Sequence, residues 1–414
     1  MCRCKPDYPS FMQEQILKGV VMMRLRSFRF LWMGQGFSNT GDVLYIVALI
    51  AVLYQATGSA LYLSLLPFTI TMARFLSGMC APLVLNRYSL KGLLVGSQSI
   101  KTVLLGSLGI SLGLFTPSVL FILPFAFLIA FLDGWATPAR NAMLPQLVHE
   151  AELAKANSFV AVVDQSIQFG GWAIGGIFVA ATSGPFVIWL TFCTYVISTF
   201  LMALIVVREQ RDYKKKMPLM SGWKLIWEHP ILRIFHIMIF IEAIANVVWI
   251  AAILYIFVEE VLLKSEAWWG YLNASFFIGL IAGGMLVSKY TKWFEQYMKV
   301  TLLITCFAIS ILTFLFGLTS VPVIALLLTV LSGLVEQVKS IIMVTIIQKK
   351  CLKESLPEVF SAQSALISIT FGLGSLLYGF LAEAVSVAFV FALSGVLLLA
   401  SALYLLKRIQ FLDD

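Results

Sequence analysis

The sequence predicts an all-α polytopic membrane protein of twelve transmembrane helices arranged as two six-helix repeats. Three observations lead there. Hydrophobic residues make up 60% of 414 and charged residues only 12%, with a mean hydropathy of +0.94. A soluble domain carries about 25% charged residues, so this chain could not cover a water-facing globule. Apolar runs of about 20 residues, the length a helix needs to cross hydrocarbon, recur along the whole chain. Finally, the basic residues collect in alternate loops, which is the signature of a chain threaded back and forth through a bilayer.

The first six spans are expected over Phe30–Tyr54, Leu61–Leu85, Leu93–Phe115, Ser118–Thr137, Ser158–Thr182 and Pro185–Val207. The second six are expected over Ile231–Val258, Trp268–Val287, Val300–Thr319, Val321–Ile347, Ser361–Glu383 and Val385–Leu406. The longest polar stretch divides them, so the chain parses into a tail (1–28), a first bundle (29–207), a central loop (208–230), a second bundle (231–407) and a short tail (408–414).

Of the 29 Lys and Arg, all but Arg74, Lys101, Lys264 and Lys339 fall on one side of this threading. Positive residues mark the cytoplasmic face, so a multi-pass cell (inner) membrane protein with both termini cytoplasmic is expected. The formal charge of +8 is thereby a topology signal, and no nucleic-acid partner is expected. The six cysteines lie within spans or on the cytoplasmic side and are expected to be reduced. Cys2-Arg3-Cys4 has no second pair or nearby His, so no metal site is expected. Met12, Met22 and Met23 are all possible starts, and the residues before Met22 are expected to be either disordered or no part of the mature protein.

The halves echo each other at a spacing of about 200 residues, as transporter repeats do. Phe28-Arg29-Phe30 answers Leu232-Arg233-Ile234, and Asp42 then falls on Asn246. The stretch from Gln146 to Ser158 answers Gln348 to Ser361.

Charges inside a bilayer cost roughly 2.5–3.5 kcal/mol each on insertion scales, so they usually face a cavity or a partner. Asp42 and Arg74 fall at similar depths on adjacent antiparallel spans and form a candidate ion pair. Either protonation breaks that pair during work, or the pair is static and fixes packing. Gln35, Asn39 and Asp42 form a polar stripe on span 1, and Glu242, Asn246 and Trp249 answer it on span 7. Gln35, Asn39, Asn246 and Trp249 are therefore candidates to line a central cavity, with interhelical hydrogen bonding as the alternative. Glu336 and Lys339 stand at i, i+3 on span 10 and could neutralise each other. Asp42, Arg74, Glu242 and Glu336 are the candidates for proton coupling, and Asp42 leads because its repeat-mate Asn246 cannot ionise. Lys101 is expected to snorkel toward the cytoplasmic face. Asn86, Arg87, Lys91, Asp133, Arg140 and Asp164 are candidates for a cytoplasmic gate. Glycines such as Gly171, Gly175, Gly279 and Gly283 are expected to serve close helix packing.

Three stretches resemble the major facilitator superfamily, and in wording its enterobactin-exporter and macrolide-efflux branch. They are Gly41-Asp42 with Tyr54-Gln55-Ala56-Thr57-Gly58-Ser59, then Pro138-Ala139-Arg140-Asn141-Ala142-Met143-Leu144-Pro145 with Leu153-Ala154-Lys155-Ala156-Asn157-Ser158, and Gly175-Gly176 with Gly184-Pro185. The resemblance implies alternating access around a central cavity, with a small-molecule substrate and proton exchange as partners. Three departures bear on mechanism and count against proton antiport in particular: the Arg that many drug/proton antiporters hold within span 4 is missing, with Asp133 near its place, and two signature residues are replaced. Asn86 replaces the Asp of the superfamily's loop between spans 2 and 3, and Trp172 replaces the Pro of its antiporter signature.

No phosphate-binding G-x-x-x-x-G-K-[ST] loop is present, and His149, His229 and His236 have no zinc-ligand spacing. Neither an enzyme nor a resident cofactor is expected. The reading is a monomeric, ion-driven exporter of amphipathic organic compounds of drug, macrolide or siderophore-like character. A lysophospholipid flippase, an uncoupled facilitator and a non-transporting receptor are the alternatives.

Overall fold

A computed structural model describes residues 10–57, 60–85, 87–114, 118–207, 220–249, 251–265 and 267–412. Cys2 and Cys4 lie outside the described residues, as does Asn86.

The first half contains α1 (Ser10–Thr57), α2 (Ala60–Leu85), α3 (Leu90–Leu114), α4 (Val119–Asp133), α5 (Ala136–Leu147), α6 (Leu153–Ala181) and α7 (Gly184–Ala203). An eight-residue helix, α8 (Ser221–Glu228), precedes the second half. That half contains α9 (Pro230–Ala245), α10 (Ala251–Glu260), α11 (Ala267–Lys289), the short α12 (Thr291–Gln296), α13 (Met298–Leu318), α14 (Pro322–Lys350), α15 (Leu356–Ala384) and α16 (Val387–Arg408). Two of the twelve rods are broken: α4 with α5 makes the fourth, and α9 with α10 the seventh. Among the described residues ten helical stretches are long and apolar enough to cross a membrane. α1 starts at Ser10, well ahead of the expected Phe30.

Both breaks depart from the continuous spans expected there. The fourth rod turns at Gly134 and Trp135 because Pro138 has no N–H to return to the Gly134 carbonyl. Gly134 also lies against Ser77 and the Arg74 carbonyl, where a larger side chain would collide. The seventh rod passes through a tight 3-10 turn at Asn246–Trp249. Asn and the β-branched Val247 and Val248 are weak helix formers, and this turn sits at mid-depth.

The core falls into three main parts. Leu44, Leu53, Ile122 and Ile188 belong to a cluster drawn wholly from the first half, at one end of the bundle. Val248, Phe257, Phe316 and Tyr378 belong to a second cluster drawn wholly from the other half, at that same end. At the opposite end, which carries the basic loops, Leu147, Leu153, Val287, Ile347 and Leu356 share one continuous cluster built from both halves. The halves are thus joined at this basic face and have separate cores at the other. α6 packs on α11 and α2 on α15 across the join.

Candidate functional site

Four polar constellations occupy the helix interior. The first surrounds Lys101 on α3, whose residue is 1% exposed. Its ammonium donates to Asp42 Oδ1 at 2.8 Å and to Asp133 Oδ1 at 3.0 Å. The Tyr195 hydroxyl donates to the same Asp42 oxygen, and its ring lies 4.9 Å from Lys101 Nζ. Arg74 donates to Asp133 Oδ2 at 3.2 Å. The expected Asp42–Arg74 pair is therefore replaced by two pairs, Asp42 with Lys101 and Arg74 with Asp133. Asp42 turns toward α3 and α7. Lys101 does not snorkel, because two carboxylates at its own depth solvate the ammonium better than a reach to the surface would. Two acids and two bases leave this cluster formally neutral.

The second constellation runs along the other side of α1. Gln35 donates to Asn39 Oδ1 at 2.9 Å, and Asn39 donates to Asp164 Oδ1 at 2.8 Å. Arg140 of α5 donates to Asp164 Oδ2 at 2.7 Å. Arg140 and Asp164 are thus brought together within the first half, while Asp133 belongs to the Lys101 cluster instead. Arg87 is exposed with its guanidinium 5.9 Å from the Tyr88 ring centre, and Lys91 is half-buried at the start of α3.

The third lies in the second half. Lys339 of α14 stands 2.7 Å from Glu336 Oε2 and 3.1 Å from Glu242 Oε2 on α9. Ser401 of α16 donates to Glu242 Oε1 at 3.2 Å. Two carboxylates here face one ammonium, so the cluster carries one acid more than it carries bases. The Glu336 side chain is 26% exposed against 8% for Glu242. One turn beyond Glu242, Asn246 is half-buried at the 3-10 turn. Trp249 packs among Phe276, Phe316 and Phe391 with ring centres 4.9–5.8 Å apart, inside the aromatic core of this half.

The fourth constellation joins the halves at the basic face. Asn157 of α6 donates to Thr345 Oγ1 at 2.9 Å and to Gln348 Oε1 at 2.7 Å, both on α14. Gln348 in turn donates to the Asn141 carbonyl of α5 at 2.9 Å. All three side chains are buried. Gly284 of α11 lies against Val162 and the Ser158 carbonyl of α6 beside this clasp. Just outside the spans, burial and the neighbouring Lys350 hold the His229 imidazole below its ordinary range, so it stays neutral near pH 7.

Sequence reasoning missed the clasp, although the paired stretches around Gln146 and Gln348 held its signal. It also missed Tyr195, which hydropathy cannot distinguish from a lipid-facing aromatic. Among the described residues no group of three or more His, Cys, Asp or Glu is arranged to hold a metal ion.

The model of the Major Facilitator Superfamily family matches residues 31–333. The uncharacterized MFS-type transporter YfmI of Bacillus subtilis (strain 168) is 29% identical over 389 residues, covering 91% of this chain and 95% of its own length. The fold is similar to that of the MFS transporter FucP in its outward conformation, with a TM-score of 0.74 at 12% identity over 93% of this chain and 99% of that one. It is also similar to a bacterial homologue of the iron transporter ferroportin in an outward-facing state, with a TM-score of 0.71 at 15% identity over 92% and 98% of the two chains. Twelve membrane-crossing rods in two repeats, a family match over most of the chain and a full-length transporter relative agree: the chain belongs to the Major Facilitator Superfamily of membrane transporters.

Proposed function

We propose that this protein exports amphipathic organic compounds across the cell membrane by alternating access, as a monomer driven by an ion gradient. The basic face is then the cytoplasmic face, and the described arrangement is the outward-facing state. Support for the cycle comes from the shared core at one face and the separate cores at the other. Support for export comes from the stretches around Asp42, Arg140 and Gly175 that resemble the enterobactin and macrolide exporters.

The observation that carries ion coupling is the charge imbalance around Lys339. An uncompensated buried charge costs several kcal/mol, so this cluster gains by binding one proton. Glu336 is the more exposed of the two acids, and in this reading it is the residue that couples transport to the gradient. Asp42, locked by Lys101 and Tyr195 in a neutral cluster, then serves as a structural partner. This moves the coupling role away from the residue favoured by the repeat argument.

The test is flux in liposomes of purified protein, using a panel of amphipathic cations, macrolides and catecholate siderophores with and without a pH gradient. Gradient-dependent accumulation of any panel member supports the reading. Gradient-independent movement of all substrates would leave an uncoupled facilitator, and no flux across the panel would sink the exporter.

A further inference from the structure

α12 connects two membrane-crossing rods, and its side chains are unusual for a turn exposed to water. Trp293 lies on this short helix, and Tyr290 and Tyr297 flank it at its two ends. Tyr290, Trp293 and Tyr297 are 48%, 51% and 41% exposed. Phe294 points the other way and is buried in the core shared by the two halves. The Trp293 and Tyr297 rings stand 5.4 Å apart and form a ledge. Tyrosine and tryptophan pay least for exposure at the lipid headgroup level, where an apolar ring and a polar edge are both satisfied.

Two cations flank this ledge. Lys289 and Lys292 are both exposed, and neither has a carboxylate partner among the described residues. Lys289 Nζ instead lies 5.3 Å from the Tyr290 ring centre. The one acid on α12, Glu295, is occupied by Lys349 at the end of α14, 3.2 Å away. The surface is therefore an aromatic platform with two uncompensated ammonium groups and its only carboxylate turned to other use.

We propose that this platform is a headgroup site for anionic phospholipid. The rings seat at the glycerol level of the inner leaflet, and Lys289 and Lys292 together hold the negatively charged phosphodiester. The assignment rests on the proposed cytoplasmic orientation of the basic face and is independent of the transported substrate and of ion coupling.

The test uses the full chain in nanodiscs of equal parts phosphatidylglycerol and phosphatidylcholine. Lipid retained after a mild detergent wash is counted by native mass spectrometry. The parent should retain phosphatidylglycerol over phosphatidylcholine. A lysine near an anionic membrane surface strengthens association by roughly fivefold, so Lys289→Gln with Lys292→Gln should lower that preference by at least fivefold. The paired change to Arg should keep it, since the charges remain. Both lysines are exposed, so an unchanged melting temperature of the Gln variant serves as the folding control. Equal retention by parent and Gln variant overturns the proposal, as does a parent that shows no preference. Loss of retention in the Arg variant as well would also overturn it, because the charge would not then be the recognised feature.

Discussion

Gln348 on α14 accepts a hydrogen bond from Asn157 of the other half at 2.7 Å and donates one to the Asn141 carbonyl at 2.9 Å. One buried amide thus ties α14 to both α5 and α6. In the proposed alternating-access cycle, breaking these bonds opens the basic face, so they bias the equilibrium toward the described state. Each intramolecular hydrogen bond contributes about 1 kcal/mol net. Gln348→Ala removes two and should therefore shift the equilibrium toward opening of the basic face by about 2 kcal/mol, roughly 30-fold. Distances between spin labels on the two halves at this face would report the shift. A distance distribution identical to the parent's would show that the apolar core alone keeps the face closed.

The same face offers a steric test. Gly284 has no side chain where Val162 and the Ser158 carbonyl approach from the other half. Gly284→Val adds branched volume there and should also favour opening, without removing any hydrogen bond. Cysteine accessibility of the basic face should rise in this variant. Gly279, which abuts Val330 and Leu334 within its own half, is the contrast. Gly279→Val should lower the melting temperature, because overpacking a close helix pair typically costs 1–3 kcal/mol.

Much of this architecture was legible in the residues. Span number and the two-repeat layout follow from hydropathy, and hydropathy is what the bilayer selects. Direction around a helix axis is what it does not report. Asp42 and Arg74 were read as partners, but Asp42 turns toward Lys101 while Arg74 turns toward Asp133. The breaks at Gly134 and Asn246 were also hidden, because apolar residues on both sides make a kinked rod read like a straight one. The clasp escaped notice for a related reason: Asn157, Thr345 and Gln348 are uncharged, so nothing in a charge census drew them together.

Lys101 should behave as a buried cation whose loss strands its partners. Removing one member of a buried ion pair typically costs 3–5 kcal/mol. Lys101→Met leaves Asp42 and Asp133 facing each other with only Arg74 to compensate, and should sharply lower folded yield and melting temperature. Adding Asp42→Asn to that variant removes the surplus charge and should recover a large part of the loss. If the double variant is as unstable as the sum of the single ones, the two residues do not interact as the 2.8 Å contact implies.

The gate contributions of Arg87 and Arg140 should separate. Arg87 is exposed and stacked on its own neighbour Tyr88, an arrangement worth about 1 kcal/mol or less. Arg140 is buried against Asp164, which also holds Asn39. Arg87→Ala should therefore leave melting temperature and transport near parent values, whereas Arg140→Ala strands a carboxylate and should lower both. Comparable losses in the two variants would place Arg87 in a contact that forms only in the other state of the cycle.

The coupling assignment rests on comparing three acids under one assay. Glu336→Gln removes the surplus acid and leaves Glu242 with Lys339 as a balanced pair 3.1 Å apart. The variant should fold, bind substrate and exchange it downhill, yet fail to accumulate it against a gradient. Glu242→Gln also restores charge balance, but it weakens the tie between α9, α14 and α16 through Ser401. It should therefore lose stability along with coupling. Asp42→Asn leaves Lys101 with Asp133, so the cluster becomes net positive by one charge. Its expected defect is a lower melting temperature, with gradient dependence intact in whatever protein folds. Liposome uptake measured with and without a pH gradient, normalised to folded protein, distinguishes the three. Retained gradient dependence in Glu336→Gln together with its loss in well-folded Asp42→Asn would return the coupling role to the first half and overturn the charge-balance argument.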